Sequence, residues 1–329
     1  MALFMKEQFL KDISVHRSAI MGISIIAILL FHQDFVSSFP LNMFHYFGYW
    51  GVDVFLLLSG MGLVNSLHKY PIRIFYRRRL LRLLPSCFFC GIIKCFTFLV
   101  IGTFIIIPNN FNFINGFSLF SLDLWFIRAI LVYYLLSPWL HKYLLEKTSI
   151  TMTFVIILFL INEFFFRIHD ANSPTWILER LLVFTIGMLL TVKQNIISPK
   201  SIFIALGFLT IACTLAAIHK GDIFGNAIPW AIMMFALAFG TMAIIYIIMM
   251  IFKHIPLVIL VPFRWIGAMS LELYLIHEFV FKIVKIATIN SLSNMGRLIV
   301  GIILSLLLAF LCKLATSKIT ILKDKRWNS

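Results

Sequence analysis

About ten stretches of roughly 20 apolar residues follow one another through this chain, separated only by short polar breaks. An α-helix needs that length to cross the hydrocarbon core, whereas a barrel strand would read as about 10 residues of alternating polarity. Lipid offers no hydrogen-bond partner to an open backbone, so the spans are helices. Composition agrees: of 329 residues, 61% are hydrophobic and 12% charged, with a mean hydropathy of +1.00, which excludes a soluble globular domain. The sequence predicts an all-α, polytopic membrane bundle with spans near 18–38, 46–67, 83–107, 123–140, 150–166, 176–192, 200–218, 227–251, 263–283 and 297–316. The loops are too short to hold a separate core, so 1–329 reads as a single transmembrane domain.

Ten spans place both termini on one side. With that side cytoplasmic, 20 Lys and Arg fall in the inner segments and 5 in the outer ones, a marked positive-inside bias. The formal net charge of +15 therefore reports topology, and nucleic acid is not an expected partner. The first 16 residues carry Lys6, Glu7, Lys11 and Asp12 and lack a cleavage pattern, so the first span is expected to be an uncleaved anchor. Cys87, Cys90, Cys95, Cys213 and Cys312 all lie in apolar stretches and read as small hydrophobes; no metal is expected.

An ionisable group inside a span costs several kcal/mol unless paired or wet, which makes each one a functional candidate. His32, followed by Gln33 and Asp34, closes the first span; Asp53 lies in the outer third of the second. Asp123 opens the fourth with Arg128 deeper, and Glu179 and Arg180 start the sixth. All map to the outer half, as a polar cavity open to that side requires. The alternative is pairwise bridging between helices, Asp53 or Asp123 with Arg128. An imidazole titrating near neutrality can take a proton from a hydroxyl and return it to a leaving group, so His32 is the best candidate general base; a packed interfacial histidine is the alternative. On the opposite side Arg77, Arg78, Arg79 and Arg82 cluster before Pro85, with Arg79 and Arg82 on one helix face. They read either as a topology anchor beside anionic lipid or as bidentate sites for a polyphosphorylated ligand such as a coenzyme A ester.

These motifs resemble the membrane-bound acyltransferase 3 family. Met21–His32 is similar to its first-helix motif ending in Phe/Tyr-His, and Gly51-Val52-Asp53-Val54-Phe55 through Ser59-Gly60 to its second-helix signature. Arg79, Arg82 and Pro85 resemble its Arg-x-x-Arg-x-x-Pro turn; Trp125-Phe126 with Tyr133, Tyr134 and Pro138 its fourth motif; Ser270 through Tyr274 and His277 its late motif. Two positions depart. The family's Arg eleven positions before the His is Met21 here, the nearest basic residue being Arg17, about 22 Å of helix from His32. The Glu that follows the fourth-motif Trp by five residues is Ile130.

The resemblance implies an acyl-CoA-dependent acyltransferase, moving an acyl group, usually acetyl, from cytosolic acyl-CoA to a hydroxyl of an extracytoplasmic carbohydrate. It implies a bacterial inner membrane and O-acetylation of a cell-envelope polysaccharide. Arg17, Arg77, Arg78, Arg79 and Arg82 would hold the coenzyme; His32, with Asp53 and Asp123, would be catalytic. Asp34, Trp125, Arg128, Glu179, Tyr274 and His277 would bind substrate. Which carboxylate partners His32 is open at this point. Ser59 reads as helix packing ahead of a nucleophile. Membrane lipid is the remaining partner, and a homodimer has no sequence feature in its support. The rivals are a polysaccharide or lipid-linked sugar transporter, which would show inverted repeats and broken helices, and a catalytically inactive relative.

Overall fold

A computed structural model of the chain describes residues 2–38, 41–102, 125–166, 175–219, 227–288 and 291–325. Among them every regular element is helical. These are α1 (Ala2–His32), α2 (Asn42–Phe47), α3 (Trp50–Lys69), α4 (Ile72–Gly102), α5 (Trp125–Glu146) and α6 (Thr148–Ile161), which continues as a π-helical turn over Asn162–Phe166. Then follow α7 (Trp176–Val192), a 3-10 turn (Gln194–Ile196), α8 (Pro199–His219), α9 (Ala227–His254), α10 (Leu257–Ala268), α11 (Ser270–Ala287) and α12 (Asn294–Lys325).

Each of the ten apolar windows contains helix among the described residues, although the first, expected to run to 38, ends at His32. Seven helices are long and apolar enough to cross a bilayer, eight if α10 and α11 count as one bent span. The two other windows fall on α5, which carries Arg128, His141 and Lys142, and on α7, whose 17 residues include Glu179 and Arg180. Of the spanning window of α3 and of α9, 67% is buried inside the bundle, against 17% for α8, so the first two are central and the last peripheral. The peripheral faces are apolar and bare: Phe203 is 77% exposed, Val258 72% and Phe96 67%. In water such a surface would aggregate; in hydrocarbon it is the ordinary solvent face. The protein is an integral membrane protein.

Small residues set the closest helix contacts, as expected where lipid leaves van der Waals packing to join helices. A methyl group on Gly60 of α3 would collide with the Phe184 carbonyl of α7, and one on Gly187 with the Leu57 carbonyl, so these two backbones touch. Gly60 thereby supports the packing reading of the Ser59-Gly60 pair. Gly22 on α1 and Gly267 on α10 pack in the same way against Phe263 and Ser18.

Two expectations change. The third span was expected to begin at 83 after an arginine-bearing turn, but α4 is helical from Ile72, so the arginines ride on a helix and Pro85 lies inside it. Pro71 sets the break instead: it forces Tyr70 into extended backbone (φ −130°, ψ 143°) and ends α3 there. A proline inside a membrane helix removes one hydrogen bond, which neighbouring groups can re-satisfy. The window at 263–283 is also not one rod: the axis turns by 72° between α10 and α11, at Met269.

Candidate active site

His32 ends α1 at a cavity of about 320 Å³ lined by Phe31, His32, Asp34, Phe35, His45, Glu278, Phe281, Lys282 and Lys285. Its Nδ1 lies 3.5 Å from Glu278 Oε1, a distance of ion-pair rather than hydrogen-bond length. Lys282 approaches the other Glu278 oxygen at 3.7 Å, one turn along α11, and Lys285 binds Asp34 at 3.2 Å. Three aromatic faces and these paired charges make a wall suited to a polyhydroxylated ligand, which has apolar faces and hydrogen-bonding edges. Behind His32 sits His277, buried, its ring edge-on at 5.1 Å between centroids. Its Nδ1 faces the carbonyls of Tyr274 at 2.8 Å and Leu273 at 3.2 Å. Carbonyls only accept, so Nδ1 carries the hydrogen and Nε2 the lone pair. That Nε2 is buried with no hydrogen-bond partner among the described residues.

A second, narrower cleft of about 70 Å³ is walled by Arg17, Arg79 and Arg82 together with apolar groups that include Met21, Ile28, Phe55, Phe126, Ile130 and Tyr274. The i,i+3 spacing of Arg79 and Arg82 does place both on this face. Gly62 seats the group. Arg79 donates to its carbonyl at 2.9 Å, and the Arg17 guanidinium packs where a Gly62 Cβ would stand, 3.3 Å away. Arg77 and Arg78, expected to share this role, lie outside the cleft on the exposed face of α4, with Arg78 stacked over Tyr70 at 4.5 Å. Residues 77 and 78 sit about 200° and 100° round the helix from 79, so one narrow helix face cannot present all four.

The two cavities come together across side chains of α11. Tyr274 lines the arginine cleft; its ring lies 5.7 Å from that of His277, which lies 5.1 Å from that of His32. Along α1 the cleft reaches from Arg17 to Ile28, one turn short of His32.

Of the alternative pairings, Asp53 with Arg128 is not the one formed: Asp53 makes its ion pair with Arg180 of α7. Arg180 Nε also lies 3.4 Å from Glu179, which accepts a hydrogen bond from Trp230 Nε1 at 3.1 Å. Asp53, Glu179 and Arg180 are all buried, and neither carboxylate lines the His32 cavity, where Glu278 is the carboxylate that faces His32. The Gly60–Gly187 contact brings α3 and α7 together and leaves these charges facing one another. Trp125 packs edge-on against Trp176 at 5.3 Å, and Arg128 is half-buried on the same helix. Asp123 lies outside the described residues. Ser59, set aside as packing, is half-buried in the lining of the arginine cleft.

The family model for the acyltransferase domain, acyltransferase 3, matches residues 19–314, nearly the whole chain. The chain belongs to the acyltransferase 3 family. It is therefore a membrane acyltransferase of a kind that generally carries out O-acylation. No match was found among the curated proteins or among the solved structures. The two positions that depart from the acyltransferase 3 pattern, Met21 and Ile130, both line the arginine cleft. They replace a cation and an anion by apolar side chains at one place, so neither charge is stranded. Sequence reasoning missed Glu278, Lys282, Lys285 and His45 as neighbours of His32. Glu278 had one signal: it extends the run of ionisable groups begun by Glu272 and His277 in an otherwise apolar helix.

Proposed function

We propose that this acyltransferase moves a short acyl group, acetyl in the first instance, from cytosolic acyl-CoA to a hydroxyl of an extracytoplasmic carbohydrate, in a bundle of ten spans with both termini cytoplasmic. A bacterial inner membrane is the setting this implies. The observation that carries the reading is the chain of three rings, Tyr274, His277 and His32, joining the arginine cleft to the His32 cavity.

Arg17, Arg79 and Arg82 are suited to phosphate oxygens, and the apolar cleft beyond them to an uncharged arm ending in a thioester. In the His32 cavity a sugar stacks on Phe31, Phe35 and Phe281 with its hydroxyls on Asp34, Lys282 and Lys285. Glu278 holds the His32 Nδ1 hydrogen, which leaves Nε2 as the base; the 3.5 Å contact tightens when charge develops on the ring. His32 takes the hydroxyl proton as the oxygen attacks the thioester carbonyl. The carbon–sulfur bond breaks, and the same proton passes to the departing thiolate. Purified protein should bind coenzyme A and transfer acetyl to a glycan acceptor. His32→Ala should keep coenzyme A binding and lose transfer. A wild type that neither binds coenzyme A nor turns acetyl-CoA over would overturn the reading.

The break at Met269 favours one second reading, a sugar or lipid-linked sugar transporter, since such proteins use discontinuous helices beside a buried polar site. Flux of radiolabelled sugar into proteoliposomes without acetyl-CoA would select it.

A further inference from the structure

His32, His277 and Glu278 each offer one ligand atom, and these atoms all lie within 4.8 Å of one another. Two imidazoles and a carboxylate form a donor set characteristic of Zn²⁺, with a fourth position left for water or substrate. We propose that this triad is a zinc-binding site whose occupation stops acyl transfer. The inference rests on the reading of His32 as the base.

Three observations support it. His277 is prepared as a ligand: the Tyr274 and Leu273 carbonyls fix the hydrogen on Nδ1, so the buried, unpartnered Nε2 presents its lone pair. Backbone carbonyls commonly orient metal-bound histidines in this way. Glu278 divides its oxygens, Oε1 towards His32 and Oε2 towards Lys282, so a cation on the His32 side leaves Lys282 as an outer partner of the carboxylate. Lys285 is engaged by Asp34 at 3.2 Å. The site also borders a cavity of about 320 Å³, through which an ion can enter and an open coordination position can face.

Ligand atoms around tetrahedral zinc stand about 3.4 Å apart, so the triad must close by about 1.4 Å at its widest. His277 is fixed, whereas His32 and Glu278 keep 28% and 21% of their side-chain surface exposed and can turn. A neutral imidazole has one lone pair. Zinc on either ring nitrogen of His32 leaves the other protonated, and no base remains for the acceptor hydroxyl.

The test is titration of Zn²⁺ into tag-free, detergent-purified protein by calorimetry, without acyl donor, so that its outcome is independent of turnover. Wild type should bind one ion with micromolar affinity. His277→Asn and Glu278→Gln should each weaken binding at least about 10-fold, while the double substitution His68→Ala, His141→Ala should not. That second pair, with Nε2 atoms 3.3 Å apart, is the competing two-imidazole site. A measurement on wild type alone covers variants that fail to fold: Zn²⁺ should protect His32 from diethyl pyrocarbonate, read by mass spectrometry. Absence of stoichiometric binding, binding lost only with His68 and His141, or unprotected His32 would overturn the proposal. Zinc bound at the triad with transfer unimpaired would overturn its inhibitory half.

Discussion

Two clusters of ionisable groups lie within this bundle, and they are built to opposite ends. In the Asp53, Glu179 and Arg180 cluster a guanidinium sits between two carboxylates, all three sealed from solvent where α3 and α7 touch. In the His32, His277 and Glu278 cluster two members are half-exposed to a cavity and the third holds an unshared lone pair. Charges committed to one another hold helices in register; charges left with a lone pair and an opening can exchange a proton. An ionisable residue within a span thus gains its meaning from its neighbours rather than from its depth.

The comparison breaks most readily at Arg180. Arg180→Ala leaves two buried carboxylates without their cation and should cost about 3–5 kcal/mol, read as loss of monodisperse protein or a large fall in Tm. Adding Asp53→Asn should recover part of that loss; an Arg180→Ala protein with wild-type Tm would remove the structural role. His32→Ala should lower turnover by about 10²–10⁴-fold at unchanged Tm. Glu278→Gln should follow with a smaller fall, about 10–100-fold in kcat and little change in KM, as for a group that orients the base. Next come the arginines. Arg79→Ala should weaken coenzyme A binding about 10–100-fold, the worth of a charged hydrogen bond, while Arg77→Ala leaves it unchanged. Equal effects of both would mean that binding follows net charge and not the cleft. Gly62→Ala, whose new methyl meets only the tip of Arg17 at 3.3 Å, should raise the coenzyme A Kd no more than a few-fold.

Much of this was legible in the sequence, and the reasons differ by residue. The helices were readable because each window had to be long and apolar on its own account. His32 and Asp34 were placed together because they are neighbours in sequence, and Arg79 with Arg82 because helical periodicity puts i and i+3 on one face. The partner of Asp53 was not readable: Arg180 lies 127 residues away, and it is the approach of two glycine-bearing helices that decides the pairing. Glu278 was obscured by its neighbour. Adjacent residues point about 100° apart on a helix, so the sequence alone does not bring His277 and Glu278 to one neighbour, yet His32 meets both. The bend at Met269 carries no proline; the nearest signal is Gly267, whose lack of a side chain lets α10 seat against Ser18.

The partition formed by Tyr274 and His277 also has an electrical consequence. In the proposed topology, with the arginine cleft open to the cytoplasm and the His32 cavity open to the outside, the two hollows shorten the insulating layer, and the transmembrane voltage would fall mainly across these rings rather than across the full bilayer. Each elementary charge carried over that layer exchanges about 2.3 kcal/mol per 100 mV with the field. In the proposed reaction the acyl group passes to the acceptor oxygen and the hydroxyl proton passes back to the thiolate while the polyphosphate stays behind; the exchange moves no net charge, so transfer should proceed at the same rate in energised and in depolarised vesicles.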